Sequence, residues 1–383
     1  MKKALIITTI SGFLAQFELN DVTLLQELGY EVHYASNFKN PVYEFDEEKL
    51  RAQGIQLHQI DVQKSPKEVR ANCNAYRQLR KLIDDEQIDL IHCHNPMGAV
   101  VARCAAFKSK RKTFVIYTAH GFHFYKGAPW LNWILYYPVE RFLARFTNVI
   151  VTINQEDYHR ACKFNLKKPG FVEQIPGVGV DMKRFCKKTK AMMGLGIPAN
   201  GFHIVTAAEL NENKNQRVVI EAIHKLPYSD IYYSICGKGM EQGALLDLIH
   251  RYRLQDRIKL LGYRNDMEEI LQSADCFAFP SYREGLGIAA IEALACGVPL
   301  IAAKNRGTKE YVKENVNGIF CEAGNAESFA KAIEKLYTDA EYRKQLAAGC
   351  RQSALAFSCE ETIAKMKQVY KKADEYVENR GKG

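Results

Sequence analysis

Along the first half of the chain, short apolar runs alternate with longer segments in which apolar residues recur every three or four positions. Ala4 to Thr9 reads as a strand, Gln16 to Leu28 has helical periodicity and stops at Gly29, and Glu31 to Ala35 alternates as the next strand. Strand Ile55 to Ile60, helix Lys67 to Asp85, strand Leu90 to Cys93, helix Pro96 to Phe107 and strands Thr113 to Thr118 and Val149 to Ile153 continue the series. A stretch rich in Gly and Pro, Ile175 to Asp181, reads as a linker. Beyond it the pattern restarts, with a helix over Lys187 to Leu195, strand Phe202 to Ala207, helix Asn215 to Lys225, strand Ile231 to Cys236, helix Met240 to Tyr252, strand Ile258 to Leu261 and helix Met267 to Ala274. Strand Cys276 to Pro280, a helix from Ile288 to Gly297, strand Leu300 to Ala302 and helices over Ala326 to Tyr337, Tyr342 to Ala356 and Glu360 to Val377 complete it. Strands and helices that alternate in this way predict an α/β protein with two doubly wound parallel sheets. The boundaries expected are 1–178 and 179–359.

A length of 383 residues agrees with two cores, and 47% apolar with 25% charged residues is the make-up of a globular protein. The apolar run after Met1-Lys2-Lys3 is too short for a leader and no stretch has the length of a membrane span, so a cytoplasmic protein is expected. Eleven scattered cysteines without a Cys-x-x-Cys pair predict reduced thiols and no zinc. His92-Cys93-His94 follows an apolar run and alternates, so it reads as a strand end, not a metal site. The formal charge of +9 has no nucleic-acid motif beside it, which leaves an anionic membrane surface or anionic substrates.

The loop after the first strand, Thr8 to Phe13, contains Gly12 but lacks Gly-x-Gly-x-x-Gly, so no dinucleotide fingerprint stands where an oxidoreductase would carry it. Candidate chemistry gathers instead in Phe279 to Pro299. There an apolar strand runs into a polar turn with Gly285 and Gly287, and a helix follows. A strand, a glycine turn and a helix start aim free backbone N–H groups and a positive dipole at one spot, which suits a phosphate. Glu284 lies in the turn, and Glu292 lies eight residues on among Ala289, Ile291, Ala293 and Leu294. A carboxylate in so apolar a helix needs a partner. A basic side chain or the hydroxyls of a sugar or ribose would serve. His120-Gly121, at the end of the fifth strand, can put an imidazole beside a ligand. Trp130 to Phe146 is aromatic and aliphatic with Arg141 and Arg145 interleaved, close to the basic Lys108 to Lys112; it reads either as core with snorkelling arginines or as a helix resting on an anionic bilayer.

The two glutamates, with Gly-Leu-Gly after the first and Ala-Cys-Gly-Val-Pro after the second, resemble the donor-site signature of the family 4 retaining glycosyltransferases. The His120 block through Tyr136-Tyr137-Pro138 resembles members that build exopolysaccharide, and Ile175 to Asp181 resembles the family's hinge. The resemblance implies the GT-B fold, two Rossmann-like domains facing across a cleft, with the closing helix 360–383 returning to the first domain. It implies transfer of a sugar, with retention, from a nucleoside diphosphate, expected to be uridine diphosphate, to a lipid-linked or glycan acceptor in surface glycan synthesis. The sugar would lie by Glu284 and His120, the diphosphate on Lys214 and the turn Gly285-Leu286-Gly287, the ribose on Glu292, and the base near Tyr263 and Arg264. Gly237 and Gly12 complete the donor set. Lipid-linked acceptors would bring such a protein to the inner face of a membrane.

In one respect the chain departs from the family pattern. Many members carry an Arg and a Lys five residues apart after the first strand of the second domain; here Lys214 matches the Lys, but Glu209 stands in the place of the Arg. Lys238, Arg264 and Arg306, all at strand ends, are candidates for the second phosphate cation. No Asp-x-Asp metal site is seen at a strand end, so no cofactor and no divalent metal are expected. The alternatives are a nucleotide-sugar epimerase on the same fold and a non-catalytic nucleotide-sugar-binding subunit.

Overall fold

The computed structural model describes residues 1–39, 41, 43–186, 196–198 and 200–380. The helix expected over Lys187 to Leu195 lies outside the described residues. The chain divides into two compact units, Met1–Val178 with Glu360–Gly383, and Gly179–Cys359.

In the first unit the strands are β1 (Lys2–Ile7), β2 (Tyr30–Ser36), β3 (Gln56–Gln59), β4 (Leu90–His94), β5 (Phe114–Ala119), β6 (Val149–Thr152) and β7 (Phe171–Gln174). They form one parallel sheet in the order β3-β2-β1-β4-β5-β6-β7. The helices are α1 (Leu19–Glu27), α2 (Glu47–Ala52), α3 (Val69–Asp85), α4 (Pro96–Lys108), α5 (Trp130–Leu143) and α6 (Gln155–Ala161). Strands β1, β4 and β5 are buried along nearly their whole length, as a sheet covered on both faces requires. Residues of α3 and α4, among them Leu79, Ile83, Ala99 and Ala102, pack with Ile91, Tyr117 and Ile150 from the sheet.

One buried ion pair fastens α5 to this layer. The Arg103 guanidinium donates to Glu140 through both terminal nitrogens, at 2.8 and 3.1 Å, and lies over the Tyr117 ring. A paired fork satisfies two charges that would be costly to bury singly.

The second unit holds β8 (Phe202–Ala207), β9 (Ile231–Cys236), β10 (Ile258–Gly262), β11 (Cys276–Phe279), β12 (Leu300–Ala303) and β13 (Gly318–Cys321). These pair in parallel in the order β10-β9-β8-β11-β12-β13. Helices α7 (Gln216–Lys225), α8 (Gln242–Arg251), α9 (Met267–Ser273), α10 (Ile288–Ala295), α11 (Ala326–Thr338) and α12 (Ala340–Ala354) belong to it. Ile204, Ile235, Ala278 and Ile301 of the sheet share a core with Val219, Ile223, Phe329 and Ile333 of the helices.

The last helix, α13 (Cys359–Arg380), packs in the first unit: the Tyr370 hydroxyl lies 2.7 Å from His92 Nδ1 and Lys365 donates to the Gln174 carbonyl at 2.8 Å. In the second unit, a Cβ at Gly179 would come within 2.6 Å of Cys359, so the residues at its two ends run tightly side by side.

Three local expectations are corrected. Strand β1 stops at Ile7, because the Thr8 hydroxyl turns inward to the Ile10 carbonyl and the Tyr34 hydroxyl. The helix expected from Gln16 begins instead as a π-helical turn, Leu14–Glu18, before α1. Strands β7 and β13 went unread; each has four residues on a sheet edge, too few for a period to show.

Candidate active site

In the second unit the strand order reverses between β8 and β11, so the loops leaving their carboxyl ends diverge and open a crevice. The loop after β8 is built by asparagines. Asn211 accepts from the Lys214 amide at 3.1 Å, Asn213 donates to the Arg283 carbonyl at 3.1 Å, and Asn215 takes a left-handed conformation while donating to the Ala323 carbonyl. Short amide side chains that bond the backbone locally make a rigid platform for the one long side chain between them. That side chain, Lys214, reaches the turn after β11: its Nζ lies 2.6 Å from Glu284 Oε1 and over the Phe279 ring.

The turn itself requires glycine. At Gly287 φ is +99°, and a Cβ would sit 2.6 Å from the Phe279 ring and 3.0 Å from the Tyr311 hydroxyl. Helix α10 starts directly after it, with its first N–H groups beside Glu284 in the chain. The loop after β12 closes on the same turn: a Cβ at Gly307 would meet Glu284 Cβ at 2.9 Å, and Asn305 donates to the Ser281 carbonyl at 3.0 Å.

This packing separates the three candidate cations. Arg306 donates from Nε to the Glu284 carbonyl at 3.3 Å and so joins Lys214 at the turn. Arg264 is held by the Asp266 carboxylate, and Lys238 is exposed on the turn after β9. Glu209, where the family pattern has Arg, is exposed, and its carbonyl receives Gln216 at 3.1 Å. Gly237 is demanded by the backbone: its φ is +141° and a Cβ would collide with the Ala208 carbonyl. Tyr263 is exposed beside Arg264, in the loop after β10.

Glu292 lies on α10, half-buried, with no hydrogen bond or ion pair to its carboxylate among the described residues. The basic partner that might have claimed it, Arg184, is committed to Glu268 at 2.8 Å. Burial raises the Glu292 carboxyl to about 7, opposed by Arg184 and reinforced by Glu268.

In the first unit the order reverses between β1 and β4, and His120 is found near that point, after β5. His94 Nδ1 lies 3.2 Å from His120 Nε2 and 3.4 Å from Glu18 Oε1. His92 is saturated by Tyr370 and Thr118, each at 2.7 Å. Burial pushes His120 down to about 4 and His94 well below the usual value, so both rings are neutral at pH 7. Burial and the neighbouring Asp21 raise the Glu18 carboxyl well above the ordinary range.

Among the described residues His94 Nε2 is buried without a hydrogen-bond partner, which favours the tautomer that leaves it bare. His94 then donates from Nδ1, His120 accepts at Nε2, and His120 Nδ1–H is left as a donor. Glu18, His94 and His120 bring ligand atoms within 4.8 Å of one another and could hold a metal ion; Asp21, His92 and His94 lie as close, but both His92 nitrogens are already bonded. A cleft beside them is lined by Glu18, Asp21, His120, Ile175, Ile363 and Met366, all of the first unit.

Gly12 has φ +78°, and a Cβ there would meet the Glu44 carbonyl at 2.8 Å, so packing of the chain at Tyr43 and Glu44 already accounts for it. Glu18 and Asp21 were missed by sequence reasoning, although a signal existed. They stand at i+4 and i+7 from Leu14, on the stripe that Leu14, Val22 and Leu25 mark as buried.

Comparison with known proteins gives this layout a family. Residues 187–353 match the family model for glycosyl transferases group 1, and residues 4–154 match that for glycosyl transferase 4-like proteins. EpsD of Bacillus subtilis (strain 168), a glycosyltransferase by name, is 36% identical over 380 residues, covering 96% of each chain. An Escherichia coli UDP-Gal:alpha-D-GlcNAc-diphosphoundecaprenol alpha-1,3-galactosyltransferase is 28% identical over 305 residues, 76% of this chain and 77% of that one. Among solved structures, Anabaena Alr3699/HepE in complex with UDP-glucose superposes with a TM-score of 0.78 at 19% identity, over 97% of this chain and all of that one. The lipopolysaccharide glycosyltransferase WaaG does so at 0.72 and 16%, over 96% and 99%. With two family models across its length and a full-length relative above 30% identity, the chain belongs to the family 4 glycosyltransferases and has their GT-B fold.

Proposed function

We propose that the protein transfers a sugar, with retention, from uridine diphosphate to a hydroxyl of a lipid-linked acceptor in polysaccharide synthesis. The observation that carries the donor part is the meeting of Lys214, Arg306 and the start of α10 at the Glu284 turn. As the glycosidic bond breaks, negative charge grows on the diphosphate, and two cations with oriented amides are what stabilises it. Arg306 takes up the charge that Glu209 does not supply. Lys214 serves the phosphate after giving up Glu284, whose carboxylate then accepts sugar hydroxyls. Glu292 receives the two ribose hydroxyls, Tyr263 and Arg264 flank the base, and His120 Nδ1–H donates to a sugar or phosphate oxygen.

No protein nucleophile is assigned. The departing phosphate takes the acceptor proton on the face it leaves, which returns the anomeric configuration. With this charge supplied by side chains, donor binding does not call on a divalent metal. The donor class agrees with what the names of HepE complexes and of the E. coli relative say of those proteins, and the acceptor class with the diphosphoundecaprenol in the latter name.

The test is thermal stability against a panel of nucleoside diphosphates and their sugars, first with chelator and then with magnesium. A ligand that binds the folded state raises Tm by mass action. A shift with uridine diphosphate under chelator is expected, and turnover of a UDP-sugar onto a diphospholipid-linked saccharide should follow. Shifts only with guanosine or adenosine diphosphate would overturn the donor assignment, and release of free rearranged sugar without acceptor would favour an epimerase.

A further inference from the structure

Helix α5 is largely apolar, and only one of its faces is used by the protein. Trp133, Tyr137, Glu140 and Leu143 turn inward, with Glu140 locked to Arg103. Outward stand Trp130, Leu131, Ile134, Leu135, Val139 and Phe142, each 44% exposed or more and Trp130 72%. Phe107 extends the patch from the end of α4: it is 53% exposed and stacks on Phe146, which in turn touches Phe142. Contiguous apolar surface of this kind marks a contact site.

Charge says what the contact is. Close to the patch in the chain stand the exposed Lys108, Lys110, Lys112, Lys126, Arg141 and Arg145, with Asp84 at the Lys110 amide and Glu156 at the Lys126 amide, and from Lys126 to Phe146 the only acidic residue is Glu140, which is buried and paired. A second copy of the chain would set like charges against one another across such a face. An anionic lipid surface complements them, and it accepts the apolar side chains between its headgroups. No helix among the described residues is long and apolar enough to cross a membrane, so the contact is with a surface.

We propose that α5 with Phe107 is a membrane-docking element, seated parallel to an anionic phospholipid surface over its length of about 21 Å, with Trp130 through Phe142 immersed and the basic rim at the headgroups. The docking rests on the reading of a lipid-linked acceptor only for its purpose, since it would hold the enzyme where such a substrate lies.

The chain contains two tryptophans, Trp130 and Trp133, and both are on α5, so intrinsic tryptophan fluorescence reports this helix alone. With vesicles of phosphatidylglycerol and phosphatidylcholine, the full chain should show a blue shift and should co-sediment, both weakening as salt is raised. Ile134→Asp with Phe142→Asp should lower the vesicle-bound fraction tenfold or more. Lys108→Glu with Arg145→Glu should lower it severalfold and remove its salt dependence. Both double variants should keep the Tm shift with uridine diphosphate, which separates failure of docking from failure of the donor reading. No blue shift with anionic vesicles at low salt would overturn the proposal. So would equal binding to phosphatidylcholine alone, or a dimer that Ile134→Asp with Phe142→Asp dissociates while vesicle binding is absent throughout.

Discussion

Lys214 Nζ and Glu284 Oε1 lie 2.6 Å apart, although seventy residues separate them in the chain, because β8 and β11 are neighbours where the strand order reverses. Two groups expected to serve different parts of one donor neutralise each other in its absence. Replacing Lys214 by Ala should lower turnover about a hundredfold or more, as loss of a preorganised charge contact does. It should also lower Tm, since Glu284 is then left without its partner. In a double-mutant cycle of Lys214→Ala and Glu284→Gln, the two effects on Tm should be strongly non-additive. Steady-state kinetics and calorimetric melting check both. Near-normal turnover in Lys214→Ala would remove the diphosphate from this crevice.

The raised carboxyl of Glu292, without a partner among the described residues, should give donor binding a pH dependence. Its folded value is raised to about 7, so the protonated form is favoured in the free protein at mildly acid pH. In the proposed complex the ribose hydroxyls bond the carboxylate, so donor binding would pull the proton off. The affinity for a UDP-sugar should therefore weaken as pH falls below 7, by roughly tenfold per unit. Glu292→Gln should bind more weakly at pH 8 and with a flat profile. Titration calorimetry across pH 5.5 to 8.5 reads this directly; a parallel slope in Glu292→Gln would assign the titration elsewhere.

Gly287 is a position that only glycine fills without strain. An alanine there would meet the Phe279 ring at 2.6 Å in a left-handed backbone. Gly287→Ala should destabilise the second unit by about 2 kcal/mol or more. The same change displaces the start of α10, so the Tm shift with uridine diphosphate should shrink beyond what lower stability explains. Urea denaturation with and without nucleotide separates the two.

Glu18 makes a different pH signature. Its folded value is raised well above the ordinary carboxylate range by burial and Asp21. For a raised acid, the contribution to stability is complete below the unfolded value and is lost as pH rises through the folded one. Stability of the native protein should thus fall toward alkaline pH. Glu18→Gln, which keeps the shape of the neutral acid, should flatten that fall while retaining the fold. Denaturation curves from pH 5 to 9 test it, and identical slopes in the two proteins would show that Glu18 does not carry the proton.

Much of the site is legible in the local sequence. Glu284, Gly285, Gly287 and Glu292 are held within nine residues by one turn and one helix, so their spacing alone states their geometry. Which of Lys238, Arg264 and Arg306 replaces the missing cation is not legible in that way. The proposed answer, Arg306, depends on the loop after β12 folding onto the turn after β11, where Arg306 meets the Glu284 carbonyl.

The alternating periods determined the α/β class, the two sheets and the identity of nearly every strand, because periodicity records which side of its own element each residue faces. They also marked α5 as largely apolar, but a helix with apolar residues on every side does not say which side is out. That was decided when Arg103 claimed Glu140 and turned Trp130, Ile134 and Phe142 to the surface. The same holds for His120. Its motif raised the expectation of a ligand contact, while the proton on its ring depends on His94 and on Glu18, which reach it only through the packing of β4, β5 and the π turn. Contacts made along one element are written in local sequence. Those made between elements follow from strand order and loop closure, and only the folded chain brings them together.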